Sequence, residues 1–307
     1  MQRKLRSLSQ LFVCTSLLQS SVSGADESGQ PPYVVARYTG MPMAAVEDLG
    51  PAAELAGKEH RLSFGIYQWA SEENWLAVGI DYEYTHFDYS NINSRDRDLH
   101  RLQFPITFAS TFDQWQVRGF VAPGVSTSSN IFKDFLNRGS ADDALLTARA
   151  ILSPQQPGRH WFAGVAYDRS FGEPRLYPVA GIEWMPAPEL SLRLAFPDSA
   201  FRWQASQRQS LHGRISPAGH QWRVVSDDFT REFDYSVESW RAELNWNISL
   251  WRHVSLDLAA GYDMARKHEF AGGQGNSLRS GIDDTVYLAV GFRVGDAPLP
   301  FPRASGF

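Results

Sequence analysis

Cysteine is nearly absent from this 307-residue sequence, and the single one, Cys14, lies in a segment with the features of a secretory signal peptide. Basic residues stand at positions 3, 4 and 6, an apolar stretch covers 8–18, and small residues occupy 23–25. We expect cleavage after Ala25, which makes residues 1–25 the signal peptide. The mature chain then offers no disulfide and no thiolate for catalysis or metal binding.

Long apolar runs are missing as well. The apolar stretch of the signal is shorter than the roughly 20 residues that a membrane-spanning helix needs, and no longer run follows it. The mean hydropathy of −0.33 is that of a soluble protein. A low average is still compatible with a membrane barrel, because lipid-facing apolar residues alternate with polar residues along each strand.

An excess of positive charge is also lacking, since the net charge is −5 with 21% charged residues. A nucleic-acid partner is therefore not expected, because it requires a basic face or stripe. The sequence contains no G-x-S-x-G, H-E-x-x-H or C-x-x-C motif and no calcium-loop pattern. We accordingly expect no cofactor, no metal site and no enzymatic activity.

What the sequence does contain is alternation of apolar and polar residues. It is clearest in residues 236–248, where Leu244 and Trp246 alternate with Glu243 and Asn245. The alternation predicts 14 strands, or 12 if residues 197–234 form one irregular excursion instead of a hairpin. The predicted strands lie near residues 33–44, 59–70, 74–85, 99–110, 114–126, 144–153, 160–171, 175–185, 189–197, 199–207, 211–226, 235–249, 253–265 and 284–294.

Three features favour a transmembrane antiparallel up-and-down β-barrel over a soluble β-sandwich. Several strands alternate over the ~9–11 residues needed to cross a bilayer at a tilt. Short turns, such as 70–74 and 249–253, alternate with long polar loops, such as 85–98 and 265–284. Tryptophans expected at headgroup level cluster at the short-turn end: Trp69, Trp75, Trp115, Trp161, Trp184 and Trp251. We predict an all-β barrel domain over residues 26–307, with an irregular tail at 295–307.

Two stretches carry a family resemblance. Residues 177–186, Tyr-Pro-Val-Ala-Gly-Ile-Glu-Trp-Met-Pro, and residues 192–197, Leu-Arg-Leu-Ala-Phe-Pro, resemble a family of bacterial outer-membrane β-barrel proteins of unknown function. That family has a Pro-x-x-Gly-x-x-Trp-x-Pro pattern followed by a Phe-Pro corner. The resemblance implies an outer-membrane location and supplies no catalytic residue. The aromatic strand pattern that barrel-insertion machinery reads matches residues 287–292, inside the chain instead of at its end.

The polar face of the predicted strands carries full charges. In a barrel this face lines the lumen, where charges must be paired or hydrated. We predict a network of carboxylates and arginines there, formed by Arg61, Asp81, Glu83, Arg101, Arg241, Glu243, Asp257, Asp263 and Arg293.

The expected function is that of a passive narrow pore for small polar solutes, or of a structural protein of the bacterial outer membrane. Outer-membrane lipids and the insertion machinery are the expected partners; the solute and any protein partner stay open. One alternative is an outer-membrane enzyme acting on lipid or peptide, for which His86 and Asp88, or His268 and Glu269, could activate water in an outer loop. The other is a soluble periplasmic sandwich that binds glycans.

Aromatic and charged residues of the predicted outer loops could bind a glycan or a partner, or could extend an aromatic girdle. They are Phe87, Tyr89, Arg95, Arg97, Phe132, Lys133, Phe135, Phe229, Phe233 and Phe270.

Overall fold

The computed structural model describes residues 33–47, 52–71, 73–91, 96–155, 158–226, 231–272 and 277–295. The expected signal peptide and the tail beyond Gly295 lie outside the described residues. The strand segments are β1 (Val34–Ala45), β2 (Glu54–Ala70), β3 (Asn74–Ser90), β4 (Arg97–Gln103), β5 (Ile106–Phe112), β6 (Trp115–Ser128), β7 (Ala144–Pro154), β8 (Arg159–Asp168), β9 (Arg175–Ala187), β10 (Leu190–Phe196), β11 (Ser199–Ser206), β12 (Gln209–Pro217), β13 (His220–Val225), β14 (Glu232–Trp251), β15 (Val254–Gly272), β16 (Ser277–Ile282) and β17 (Thr285–Val294).

Short helices occur between β6 and β7: α1 (Ser129–Phe132), α2 (Phe135–Arg138) and a 3-10 turn (Ala141–Asp143). Within the described ranges, no helix combines the length and the apolar character that crossing a membrane requires.

The strand segments form one closed antiparallel sheet. Three barrel strands are interrupted, because β4 and β5 share the neighbours β3 and β6, β12 and β13 share β14, and β16 and β17 share β15. With each interrupted pair counted as one, the described segments make a ring of 14 strands in chain order. The predicted strand number is confirmed, and the turn at Pro197-Asp198 is a hairpin between β10 and β11. The soluble sandwich was wrong, since one sheet closes on itself.

The first and last strands close the ring. β1 pairs with β17 from Val34 opposite Val294 to Gly40 opposite Leu288, and with β2 on its other side. A closed ring hydrogen-bonds the backbone of every strand internally, which a bilayer demands because its core offers no water to unpaired amides.

The connections differ in length between the two ends of the barrel. Short turns join β2 to β3, β5 to β6, β7 to β8, β9 to β10, β11 to β12 and β14 to β15, and this is called the inner end. The outer end carries the longer connections, including the helical segment after β6, although the turn between β10 and β11 at this end is also short. Because the ring has an even number of strands, β1 starts and β17 finishes at the same, inner end.

Two of the predicted long loops were largely wrong. β3 continues to Ser90 and β4 begins at Arg97, so much of 85–98 is strand. Similarly, β15 extends to Gly272 and pairs with β16, which converts most of 265–284 into a hairpin. The outward side chains of these segments are polar, so the segments lack the apolar–polar alternation from which strands were predicted.

The exterior of the barrel is apolar over most of its height. On β17 the outward side chains Val286, Leu288, Val290, Phe292 and Val294 are exposed, while Tyr287 and Ala289 between them are buried. Tryptophans ring the inner end: Trp69, Trp161, Trp184, Trp203, Trp246 and Trp251 are all exposed. An apolar belt bounded by aromatic residues is the surface of a barrel that spans a bilayer.

Towards the outer end the exterior face changes character. A stripe of aromatic rings runs across β1 to β4 and ends on α1, with successive centroids 4.4–5.8 Å apart: Tyr38, His60, Tyr84, His100 and Phe132. Beyond the apolar belt, outward positions carry charges instead: Lys58, Asp88, Asp98, Glu238 and Lys267. The outer parts of β2, β3, β14, β15 and β16 therefore extend past the lipid into solvent.

Candidate functional site

The barrel interior is identified by contacts between strands that are not neighbours. Arg37 of β1 binds Glu243 of β14, although β17 and β15 lie between those strands. Arg118 of β6 binds Glu183 of β9 across β7 and β8, with 3.2 Å between Nη2 and Oε1. Side chains can meet over such a separation only on the concave face, so these charged groups lie in the lumen.

All nine residues of the predicted lumen network stand on this face, and each is in an ion pair. The pairs on neighbouring strands are Arg61 with Asp81, Arg101 with Glu83, Arg241 with Asp263 and Arg293 with Asp257, with closest N–O distances of 2.6, 2.6, 2.7 and 3.7 Å. Glu243 instead takes Arg37, which the sequence interpretation had left out. We call the part of the interior formed by β1–β5 and β14–β17 the paired wall, because its arginines and carboxylates match.

Arg241 is the most connected residue of the paired wall. Its guanidinium donates to Asp263 at 2.7 Å and to Glu59 of β2 at 3.1 Å. The same group lies 4.6 Å from the centroid of the Tyr287 ring, a cation–π distance. Tyr287 in turn donates to Glu243 at 2.6 Å, so two ion pairs are joined through one phenol.

A glycine makes this connection possible. A Cβ placed on Gly261 would lie 2.2 Å from the Tyr287 ring, closer than any real contact. The ring therefore lies flat over the backbone of β15, and its hydroxyl reaches towards the lumen.

The opposite side of the interior is different, and it was not singled out from the sequence. In the ion pairs inside β6 to β12, four arginines, Arg118, Arg149, Arg193 and Arg214, share two carboxylates, Glu183 and Asp198. We call this part the arginine wall. The four arginines occupy polar positions of the alternating pattern in β6, β7, β10 and β12, so period-2 patterning contained the signal. The pattern does not show that three of these arginines lie near Asp198, in the turn between β10 and β11.

The outer third of the interior is filled. Leu55, Leu99 and Tyr235 are fully buried, and Phe87 and Trp222 nearly so, in one apolar cluster that we call the outer core. Trp222 and Tyr235 stack at 6.0 Å, and Phe87 meets both rings edge-on. Tyr89, Phe233 and Phe270 pack against it, so these predicted loop residues belong to strands and not to an exposed binding loop.

The outer core exists because β13 leaves the barrel wall. The chain breaks after Pro217, at Ala218 and Gly219, and β13 then crosses the mouth to make a parallel contact with β6, where Arg223 lies opposite Thr127. Three side chains of the β6 end and α1, those of Ser126, Thr127 and Asn130, donate to backbone carbonyls of β13 at 2.7–3.2 Å.

The short β10–β11 hairpin explains why β13 can leave the barrel wall and cross the mouth. Its strands have 7 and 8 residues, whereas β14 and β15 have 20 and 19. The barrel wall formed by β10 and β11 is therefore short beside β12. β11 does not extend far enough towards the outer end to pair with β13. Below the outer core a cavity of about 20 Å³ is lined by Glu59, His220, Arg241 and Trp222, among others, which is room for roughly one water molecule.

The histidines proposed for catalysis have structural partners. His86 Nδ1 lies 2.8 Å from Asp98, which also binds Tyr84. His268 is buried in the outer core and hydrogen-bonds Tyr235.

A serine–histidine pair, Ser129 Oγ to His100 Nε2 at 2.6 Å, occurs at the outer rim. Its third partner is the phenol of Tyr82, which cannot stabilise an imidazolium as a carboxylate does. Phe132 stacks on the imidazole, so the pair fastens α1 to β4. Among the described residues no group of three metal-ligating side chains comes together.

The sequence matches a family model, "Domain of unknown function (DUF6268)", over residues 62–295. The chain belongs to this family. The match covers more than half of the chain and includes every barrel strand from within β2 to β17, so the resemblance to an outer-membrane barrel family of unknown function is confirmed. None of the curated proteins compared with the chain matches it.

Among solved structures, similar ones are outer-membrane barrels. The COG4313 outer membrane channel from Pseudomonas putida F1 has 10% identity and a TM-score of 0.49, covering 89% of this chain and 97% of that one. The translocator domain of the autotransporter NalP from Neisseria meningitidis has 9% identity and a TM-score of 0.37, covering 95% of this chain and 98% of that one. The P. putida toluene transporter TodX has 10% identity and a TM-score of 0.38, covering 89% of this chain and 91% of that one.

Proposed function

We propose that this family member is a passive, narrow channel for small polar solutes in the bacterial outer membrane. The observation that carries the proposal is the contrast between the two faces of one closed sheet. Outside lies an apolar belt with tryptophans at the inner rim, and inside lie ion-paired arginines and carboxylates. Charges are costly in a dry interior, so a charged lumen favours a path that water can enter.

The polar interior supports passage of polar solutes over apolar ones. Arg61 and Arg214 face the lumen with side chains 50% and 55% exposed, so water reaches the inner part of the barrel. The outer core and the water-sized cavity beneath it support a narrow path. Together they favour slow, size-limited permeation by small polar molecules over the wide aqueous channel of a general porin.

The location and partners form part of the same proposal. The expected signal peptide supports export, and the apolar belt supports contact with outer-membrane lipids. β17 is a full barrel strand and contains the aromatic pattern that insertion machinery reads, which supports it as the recognised strand even though residues follow it.

The absence of catalytic function is also proposed. The support is that His86 and His268 have structural partners and that the Ser129–His100 pair is oriented by a phenol.

Single-channel recording tests the proposal. Detergent-purified protein is inserted into a planar lipid bilayer, and its folding is checked by a compact, heat-modifiable band in electrophoresis. We expect small, reproducible current steps in potassium chloride. Silence from protein that is folded and inserted would contradict the channel and leave a structural role.

A further inference from the structure

The arginine wall contains a three-arginine arrangement around one carboxylate. Asp198 lies in the turn between β10 and β11, and three guanidiniums surround it: Arg149 at 3.7 Å, Arg193 at 3.8 Å and Arg214 at 3.7 Å. These come from β7, β10 and β12, so the curvature of the sheet is needed to bring them together. One negative charge is shared among three positive ones.

The distances show that this carboxylate does not satisfy the arginines. Arg–carboxylate hydrogen bonds normally join N and O at 2.7–2.9 Å, whereas these separations are 3.7 Å or more. Among the described residues, the guanidiniums of Arg149 and Arg214 have no hydrogen-bond partner. Both guanidiniums therefore lie near Asp198 with their N–H donors unused among the described residues.

The neighbouring charges add to the imbalance. Glu183 is shared by Arg118 at 3.2 Å, Arg193 at 3.6 Å and His160 at 3.0 Å. The ion pairs of the arginine wall thus join four arginines to two carboxylates. In the paired wall, by contrast, every arginine named above has its own carboxylate. The excess of positive charge is confined to one side of the lumen.

Packing holds two of these arginines in place. The Phe162 ring, itself buried, lies 4.6 Å from the Arg193 guanidinium and 6.0 Å from that of Arg118. By contrast, the Arg214 side chain is 55% exposed to the lumen, and that of Arg149 is 28% exposed. The wall therefore combines a fixed base with two guanidiniums that a solute can reach.

We infer that Arg149, Arg193 and Arg214 form a binding site for a small oxyanion, a carboxylate or phosphate group, inside the lumen. Guanidinium groups bind such anions through paired N–H donors, and three of them converge here. Asp198 draws the three arginines together before the anion arrives. The inference rests on the proposed channel function, and it specifies the class of solute: small polar molecules that carry an acidic group.

The test combines ion selectivity with direct binding. Reversal potentials are measured in a tenfold potassium chloride gradient across a planar bilayer, and inorganic phosphate is titrated into the detergent-purified protein by calorimetry. The wild-type channel is expected to prefer chloride, and millimolar phosphate is expected to reduce its current. The test variant is R149Q/R214Q, which removes the two accessible guanidiniums.

A matched control removes the same net charge elsewhere. R208Q/R252Q alters two arginines in the inner turns that precede β12 and β15, away from the arginine wall. We expect R149Q/R214Q to lose its chloride preference and to bind phosphate at least tenfold more weakly, while the control keeps both properties. The single variant R214K should keep the selectivity, because the charge remains, and should weaken phosphate binding, because the paired donors are lost.

The outcomes separate the site from the channel. Currents with the same selectivity in wild type and R149Q/R214Q, together with unchanged phosphate binding, would overturn the oxyanion site and leave the channel standing. Phosphate binding that disappears in R149Q/R214Q, in protein that gives no current, would support the site and contradict the channel. Neither current nor binding in folded wild-type protein would overturn both. If R149Q/R214Q fails the heat-modifiability check, R214Q alone is used, since Asp198 keeps two arginines in that variant.

Discussion

At the scale of single residues, the interior is governed by how each charge is matched. Arg241 has two carboxylates at hydrogen-bond distance and a side chain only 20% exposed, whereas Arg61 has one carboxylate and is half exposed. Removing a partner from a buried pair is far more costly than removing one from an exposed pair, because the remaining charge cannot be solvated.

The variant R241Q tests this difference. We expect it to lower the free energy of unfolding by about 3–5 kcal/mol, because Glu59 and Asp263 are left without compensation. The matched variant R61Q should cost about 1 kcal/mol or less. Urea unfolding in lipid vesicles measures both, and equal losses would show that the two pairs are hydrated alike.

A second residue-scale prediction concerns pH. Burial in the outer core, with a smaller contribution from the nearby Arg266, lowers the pKa of His268 well below its usual value of 6.5. The folded protein then keeps this histidine neutral while the unfolded chain takes up a proton, so folding loses stability as the pH falls below about 6.5. Above that pH the contribution is constant.

The measurement is the unfolding free energy of wild type and H268Q between pH 8 and pH 5. The wild type should lose more stability than the variant over this interval. Parallel curves for the two proteins would mean that His268 is protonated in the folded state as well.

Sequence reasoning predicted charged residues for the lumen face but only part of their pairing. Arg61 and Asp81 face each other on adjacent strands, and adjacency follows from chain order in an up-and-down barrel. Arg37 and Glu243 are 206 positions apart and meet only because the sheet closes. Pairs between distant strands depend on the curvature of the sheet and on the stagger of its strands. The local alternation of apolar and polar residues does not encode either property.

At the scale of elements, β13 decides how open the barrel is. The sequence predicts a single strand over 211–226, and the structure divides it at Ala218 and Gly219. The division could not be predicted from these residues alone, because it depends on the short β10–β11 hairpin and on the carbonyl contacts with the β6 end. The local sequence predicts that this segment forms a β-strand. It does not predict that β13 turns away from the direction of β12.

The variant W222A tests the role of β13. Trp222 is buried at the centre of the outer core, directly above the 20 Å³ cavity. Removing the indole should enlarge the path and raise the single-channel conductance several-fold. W251A, which alters an exposed tryptophan at the inner rim, is the control and should leave the conductance unchanged. An unchanged conductance in W222A would place the constriction elsewhere.

At the scale of the whole molecule, the exterior belt sets how the barrel sits in lipid. The fold class and strand number were predictable because alternation, turn parity and tryptophan placement all follow from crossing a bilayer. The outer extension beyond the lipid was not, since its charged outward face resembles a loop in sequence.

The belt can be tested with L288R. Leu288 is 69% exposed on the outward face of β17, between Val286 and Val290. A charge near the bilayer midplane should lower stability by roughly 2–4 kcal/mol in vesicles. L136R is the control, because Leu136 of α2 is 98% exposed outside the barrel wall. Equal stability of L288R and wild type would mean that this face is not covered by lipid.

The seam between β1 and β17 also has a kinetic consequence. Val34 and Val294 pair across nearly the whole chain, so the ring cannot be completed until the final strand is available. Until then β1 and β15 each present a free edge able to recruit another chain. Pairings of such long sequence separation form slowly. The interval before closure is therefore the period in which association of these edges with other chains is most favoured.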